Sequence, residues 1–74
     1  PDPYIEMMSR LGIMPSNTVI VEDSLNGIHA GLKSGAFVIA KAGSVPIDEL
    51  SIAHKIVLNL NDITQNLIEE LLQK

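Results

Sequence analysis

The sequence predicts an α/β fold in which a short parallel sheet is covered by helices, and three observations carry that prediction. The segment TVIVE, residues 18–22, is β-branched and apolar at odd and even positions alike, as a strand buried on both faces should be. A second segment of the same kind, AFVIA at residues 36–40, follows after thirteen residues, a length suited to a right-handed parallel crossover. Helical periodicity recurs before, between and after such segments.

Taken in order, Asp2 is placed to cap a first helix that starts at Pro3, where the missing N–H costs nothing. Tyr4, Met8 and Leu11 recur there at helical spacing, and Gly12 supplies the stop. After the strand at 18–22, Ser24 caps a second helix over residues 25–34, which Gly35 ends. Residues 43–51, GSVPIDELS, offer turn chemistry and one short helix, ahead of a third strand near KIVLN, residues 55–59. The last helix carries Ile63, Leu67, Ile68, Leu71 and Leu72 on one stripe, with Asp62 near its start. A strand as apolar as residues 18–22 belongs in the middle of a sheet, yet outward winding gives it a neighbour on one edge only. An open edge on a flat apolar strand is an aggregation hazard. The expectation is that another segment, from the same polypeptide or from a partner chain, pairs beside it.

Size and composition narrow the classes. A chain of 74 residues buries only about 60% of the surface that its unfolded form exposes, so its stability margin is thin. It has no cysteine for a disulfide and only His29 and His54 as histidines, so neither a disulfide nor a structural zinc supplements the core. Five basic residues against nine acidic ones, a formal charge of -4, argue against a nucleic-acid surface. No apolar run approaches the roughly 18 residues of a membrane span, and PDPYIEMMSR has none of the regions of a signal peptide. A cytoplasmic location is the resulting expectation.

The chemistry concentrates at Glu22 and Asp23, the carboxyl end of the first strand, where open parallel sheets bind their ligands. The backbone turns at Asp23 to enter the next helix, which lets both carboxylates converge. Two close anions repel unless a cation intervenes, and hard oxygen ligands suit Mg²⁺, which takes one or two protein carboxylates and completes its shell with water and phosphate. The N–H groups that open the following helix favour an anion nearby. A bare Glu-Asp dipeptide, however, is more often only a polar strand end followed by a cap.

The surrounding residues sharpen it. VIVEDSLNGIHAGLKSGA, residues 19–36, resembles the fourth motif of the haloacid dehalogenase (HAD) superfamily, particularly its β-phosphoglucomutase-like phosphatases and mutases. PDPYIEMMSRLGIMPSNT, residues 1–18, is similar to the segment that follows the third-motif lysine of that family, commonly Lys-Pro-x-Pro, and the chain opens at that proline. The resemblance is specific over residues 1 to about 43 and loose beyond. It implies the carboxy-terminal part, residues 1–74, of a partial Rossmann-like, HAD-type three-layer core, with the first strand and the cap domain absent. It implies a Mg²⁺-dependent phosphatase or phosphomutase that acts on a small phosphorylated metabolite such as a sugar phosphate through an aspartyl-phosphate. Asp23 would coordinate the metal directly, and Glu22 directly or through water.

The departures are equally specific. The aspartates are Asp2, Asp23, Asp48 and Asp62, and none forms an Asp-x-Asp after an apolar strand, so no catalytic nucleophile is expected among these residues and the isolated chain should be inactive. Competing readings are a response-regulator receiver-like module, which VIVEDS also resembles, and a non-catalytic fragment that only keeps the fold. Against the receiver stand the Pro-x-Pro helix before residue 18 and the lack of a phosphoacceptor aspartate at the end of a third strand. Gly27, Gly31 and Gly35 read as packing and capping devices, and His29 and His54 as surface or interface residues. Lys41 reads as a solvated lysine, with an anion-facing role as the alternative, and Met7, Met8 and Met14 read as core filler or helix packing.

Overall fold

The computed structural model describes residues 2–43 and 45–73; Ser44, within the expected turn at 43–51, lies outside the described residues. The chain runs α1 (Pro3–Leu11), β1 (Val19–Glu22), α2 (Leu25–Lys33), β2 (Phe37–Lys41), α3 (Ile47–Leu50), β3 (Lys55–Val57) and α4 (Gln65–Leu72), with 3₁₀ turns at Pro15–Asn17 and Leu60–Asp62. The sheet has the order β1-β2-β3 and is parallel throughout, with Val19 opposite Phe37 and Glu22 opposite Ala40. This is the expected α/β architecture, a short parallel sheet flanked by helices.

Local chemistry explains the boundaries. Asp2 Oδ1 accepts from the N–H groups of Tyr4 at 2.8 Å and Ile5 at 3.3 Å, which fixes the start of α1. Gly12 closes α1 at φ 69°, a left-handed conformation that glycine reaches without Cβ strain. Ser24 Oγ accepts from Gly27 N–H at 3.0 Å and starts α2. Gly35, at φ 88°, turns the chain into β2.

The later elements differ from expectation by a few residues. β3 stops at Val57 because Asn59 begins a 3₁₀ turn, its Oδ1 accepting from Asn61 N–H while Asp62 Oδ2 accepts from Asn59 N–H. Asp62 therefore closes that turn, and α4 starts behind Thr64, whose Oγ1 accepts from Leu67 N–H at 3.2 Å.

The core lies between the sheet and α2. Ile28, Val38, Ala40 and Leu50 are fully enclosed, Ile20 and Ala36 nearly so, and Tyr4, Leu32 and Ile56 pack around them. Gly31 brings helix and sheet together: a Cβ there would lie 2.8 Å from Val38 Cγ2 and 3.5 Å from Ile20 Cγ2. α4 contacts β1 and contributes nothing to that cluster, which assigns it to the other face of the sheet, where Ile39 and Val57 are buried. Of the methionines only Met8 is core; Met7 and Met14 are exposed. β1 forms one edge of the sheet, and its Val21 is 42% exposed, high for the middle of an apolar strand. Among the described residues no helix is long and apolar enough to cross a membrane.

Candidate functional site

Strand alternation decides where the two acids go. Ile20 and Glu22 share the face of β1 that meets α2, while Val21 turns to the opposite face. Glu22 is thus directed beneath the first turn of α2, half-buried, and its Oε2 accepts a hydrogen bond from the Tyr4 hydroxyl of α1. Its Oε1 has a longer contact, 3.4 Å, from the Ser24 hydroxyl. Gly27 leaves the room for this arrangement. A Cβ there would sit 2.1 Å from both Cδ and Oε1 of Glu22, so any larger residue would evict the carboxylate.

Tyr4 registers the same contact. Its hydroxyl is pushed up to about 12, first because burial disfavours the phenolate, then because the proton is shared with Glu22, with the negative charges of Glu22 and Asp2 adding to the effect. Tyr4 therefore remains a donor to Glu22 throughout the neutral range.

Asp23 is different in every respect. It stands in the turn between β1 and the Ser24 cap, is exposed, and its carboxylate enters none of the hydrogen bonds among the described residues. It borders a cleft of about 300 Å³ at the carboxyl ends of the strands, lined by Val21, Glu22, Asp23, Lys41 and Leu60. Lys41 is the last residue of β2, half-buried rather than fully solvated, with its Nζ donating to the Ala42 carbonyl at 3.1 Å. The sequence reading of Lys41 as a lysine beyond the strand is corrected on this point. Strand register explains it, since Lys41 follows Ile39 by two residues and Ile39 is paired with Val21.

The other singled-out residues have structural duties or none near the cleft. His54 Nδ1 accepts from Val38 N–H at 3.0 Å while the His54 N–H donates to the Val38 carbonyl, and its ring meets Phe37 edge-on. His29 is exposed on α2. Among the described residues no group of three or more histidine, cysteine or acidic side chains is placed to hold a metal.

Sequence reasoning found the acids and ranked them by resemblance, but missed the contacts that set them apart. Gly27 carried a readable signal, a glycine in the first turn of a helix directly after an acidic strand end. Tyr4 carried none, because its partner is 18 residues away.

Comparison with known proteins agrees with this geometry. The sequence profile of the haloacid dehalogenase-like hydrolase family matches residues 1–41, more than half of the chain, and that span contains α1, β1, both acids, α2 and β2. The crystal structure of a HAD hydrolase, family IA, variant 3, from Entamoeba histolytica HM-1:IMSS is similar over 100% of this chain, with a TM-score of 0.85 and 28% sequence identity. The chain spans about a third of that protein, 34% of its length. No curated protein matches the chain significantly. With profile, fold and the acidic turn after β1 in agreement, the chain belongs to the haloacid dehalogenase-like hydrolase family.

Proposed function

We propose that residues 1–74 are the carboxy-terminal part of the catalytic core of a Mg²⁺-dependent phosphatase or phosphomutase of the β-phosphoglucomutase-like kind, acting on a small phosphorylated metabolite. The observation that carries this reading is the exposed Asp23 carboxylate, free of hydrogen bonds among the described residues, at the mouth of a cleft at the carboxyl ends of parallel strands. Family membership favours it over a receiver-like module.

The donor set fits a hard divalent cation: two carboxylates, one free and one braced, and no soft ligand nearby. Asp23 is the residue that would hold Mg²⁺ directly, while Glu22, whose two oxygens already face hydroxyl donors, would act through water or after release from Tyr4. Bound there, the metal would supply charge neutralisation between an attacking carboxylate and a phosphoryl group. The chain's own part is to position. The Tyr4 hydroxyl and the gap at Gly27 fix the Glu22 carboxylate beneath α2, and Ser24 both caps that helix and touches Glu22. None of the four aspartates lies in an Asp-x-Asp, so the nucleophile would come from a strand paired at the edge of β1, beside Val19–Val21. The exposure of Val21 and the threefold greater length of the Entamoeba hydrolase support an additional segment at that edge. Catalysis by residues 1–74 alone is not expected.

The test is an Asp23→Asn substitution in the full-length protein. Phosphatase turnover on small sugar phosphates should fall by about 100-fold or more and its Mg²⁺ requirement should rise. Unchanged turnover with an unchanged Mg²⁺ dependence removes Asp23 from the role.

A further inference from the structure

α1 reaches the acidic pair through Tyr4, and that side chain is held at both ends. Its backbone N–H donates to the capping Asp2 carboxylate at 2.8 Å, its ring packs against the cluster that includes Ile20, Ile28 and Val38, and its hydroxyl donates to Glu22 Oε2. The hydroxyl is thus a fixed donor, and Glu22 is the partner that adapts to it. The other carboxylate oxygen, Oε1, faces the Ser24 hydroxyl at 3.4 Å, and the absence of a Cβ at Gly27 leaves room for the group. To hold a cation with both oxygens, Glu22 must turn away from these donors and give up the Tyr4 bond.

The cost of that turn falls unequally on different cations. Mg²⁺ dehydrates reluctantly and takes only one or two carboxylates, so the free Asp23 with a water-bridged Glu22 satisfies it. Ca²⁺ takes about six to eight oxygens and commonly binds a carboxylate through both, so it needs Glu22 released. We propose that Tyr4 is a positioning residue that sets the cation preference of the site: by holding Glu22 beneath α2, its hydroxyl favours Mg²⁺ over Ca²⁺. The proposal rests on the metal reading of Asp23 and Glu22 and adds to it a selectivity role for a residue 18 positions away in the sequence. A brace that only satisfied a half-buried carboxylate would act on both cations alike.

The test displaces Mn²⁺ from the full-length protein with Mg²⁺ and, separately, with Ca²⁺, followed by electron paramagnetic resonance, so that both affinities come from one assay. Tyr4→Phe keeps the ring in the core and removes only the hydroxyl. Its preference for Ca²⁺ over Mg²⁺ should rise about 10-fold relative to the parent, and the rise should vanish in Tyr4→Phe/Glu22→Gln, where no carboxylate is left to release. An unchanged ratio in Tyr4→Phe overturns the proposal, whether or not both affinities fall, because a merely structural loss weakens the two cations equally. A shift of the ratio that survives Glu22→Gln overturns it as well, since the hydroxyl would then act on some other group. Failure of the metal reading shows separately, as Mn²⁺ binding indifferent to Asp23→Asn, and takes this proposal with it.

Discussion

The carboxyl-terminal half of α2 rests on hydrocarbon, and its amino-terminal half rests on a carboxylate. Gly31 and Gly27 stand about one turn apart and each gives up a side chain, but Gly31 does so for Val38 and Ile20, and Gly27 for Glu22. The first contact closes a core in which Ile28 and Val38 are fully enclosed, where density and shape set the energy. The second places a charged group under a helix start, where the Tyr4 and Ser24 hydroxyls satisfy it. Glycines at one spacing on one helix thus serve stability at one end and the site at the other, and helix geometry alone does not separate the two uses.

Substitutions at these positions sharpen the comparison. The largest effect on stability is expected from Gly31→Ala, whose Cβ would press on Val38 Cγ2 at 2.8 Å in a fully packed layer. Overpacking there costs about 1–3 kcal/mol and improved helix propensity returns about 1 kcal/mol, so the urea midpoint of the full-length protein should fall while metal affinity is kept. Gly27→Ala should do the reverse. Its clash is with the movable end of the Glu22 side chain, so stability should change by no more than about 1 kcal/mol while divalent-metal affinity falls about 10-fold. If both variants lost stability alone, the distinction between the two halves of α2 would collapse.

Tyr4→Phe is the mildest change, and it carries a pH signature. The folded Tyr4 keeps its proton up to about 12, whereas an unfolded tyrosine releases it near 10. Between those values the folded state binds more protons, so the contribution of Tyr4 is complete below about pH 10 and is lost as pH rises toward 12. Urea midpoints measured across that alkaline window should decline less steeply in Tyr4→Phe than in the parent. Identical slopes would mean that the hydroxyl is neither shielded by burial nor tied to Glu22.

The α/β architecture was legible because it is carried by local, redundant signals. TVIVE and AFVIA are apolar on both faces, Asp2 and Ser24 are strong caps, and Gly35 needs its positive φ, so each element is marked more than once. The last third was read less sharply. Asp62 and Thr64 are both good caps two residues apart, and only the reciprocal bonding of Asp62 with Asn59 assigns the first to a 3₁₀ turn and the second to α4. In the site, the positions of Glu22 and Asp23 were readable as a strand end and their unequal roles were implied by the family resemblance, but the physical source of that inequality was not readable. That inequality comes from strand alternation combined with Tyr4, a contact between α1 and β1 that no local pattern encodes. Lys41 was misplaced for a related reason: the boundary of β2 shifts by one residue, from 36–40 to Phe37–Lys41, and this brings the lysine into the strand and onto the cleft.

The central claim is that the two adjacent acids are not equivalent, with Asp23 open to a metal and Glu22 braced by the protein. Binding of Mn²⁺, a paramagnetic substitute for Mg²⁺, to the full-length protein measures this directly by electron paramagnetic resonance, comparing Asp23→Asn with Glu22→Gln. The account predicts that Asp23→Asn weakens binding at least about 10-fold more than Glu22→Gln does. Equal losses, or a greater loss in Glu22→Gln, would contradict it.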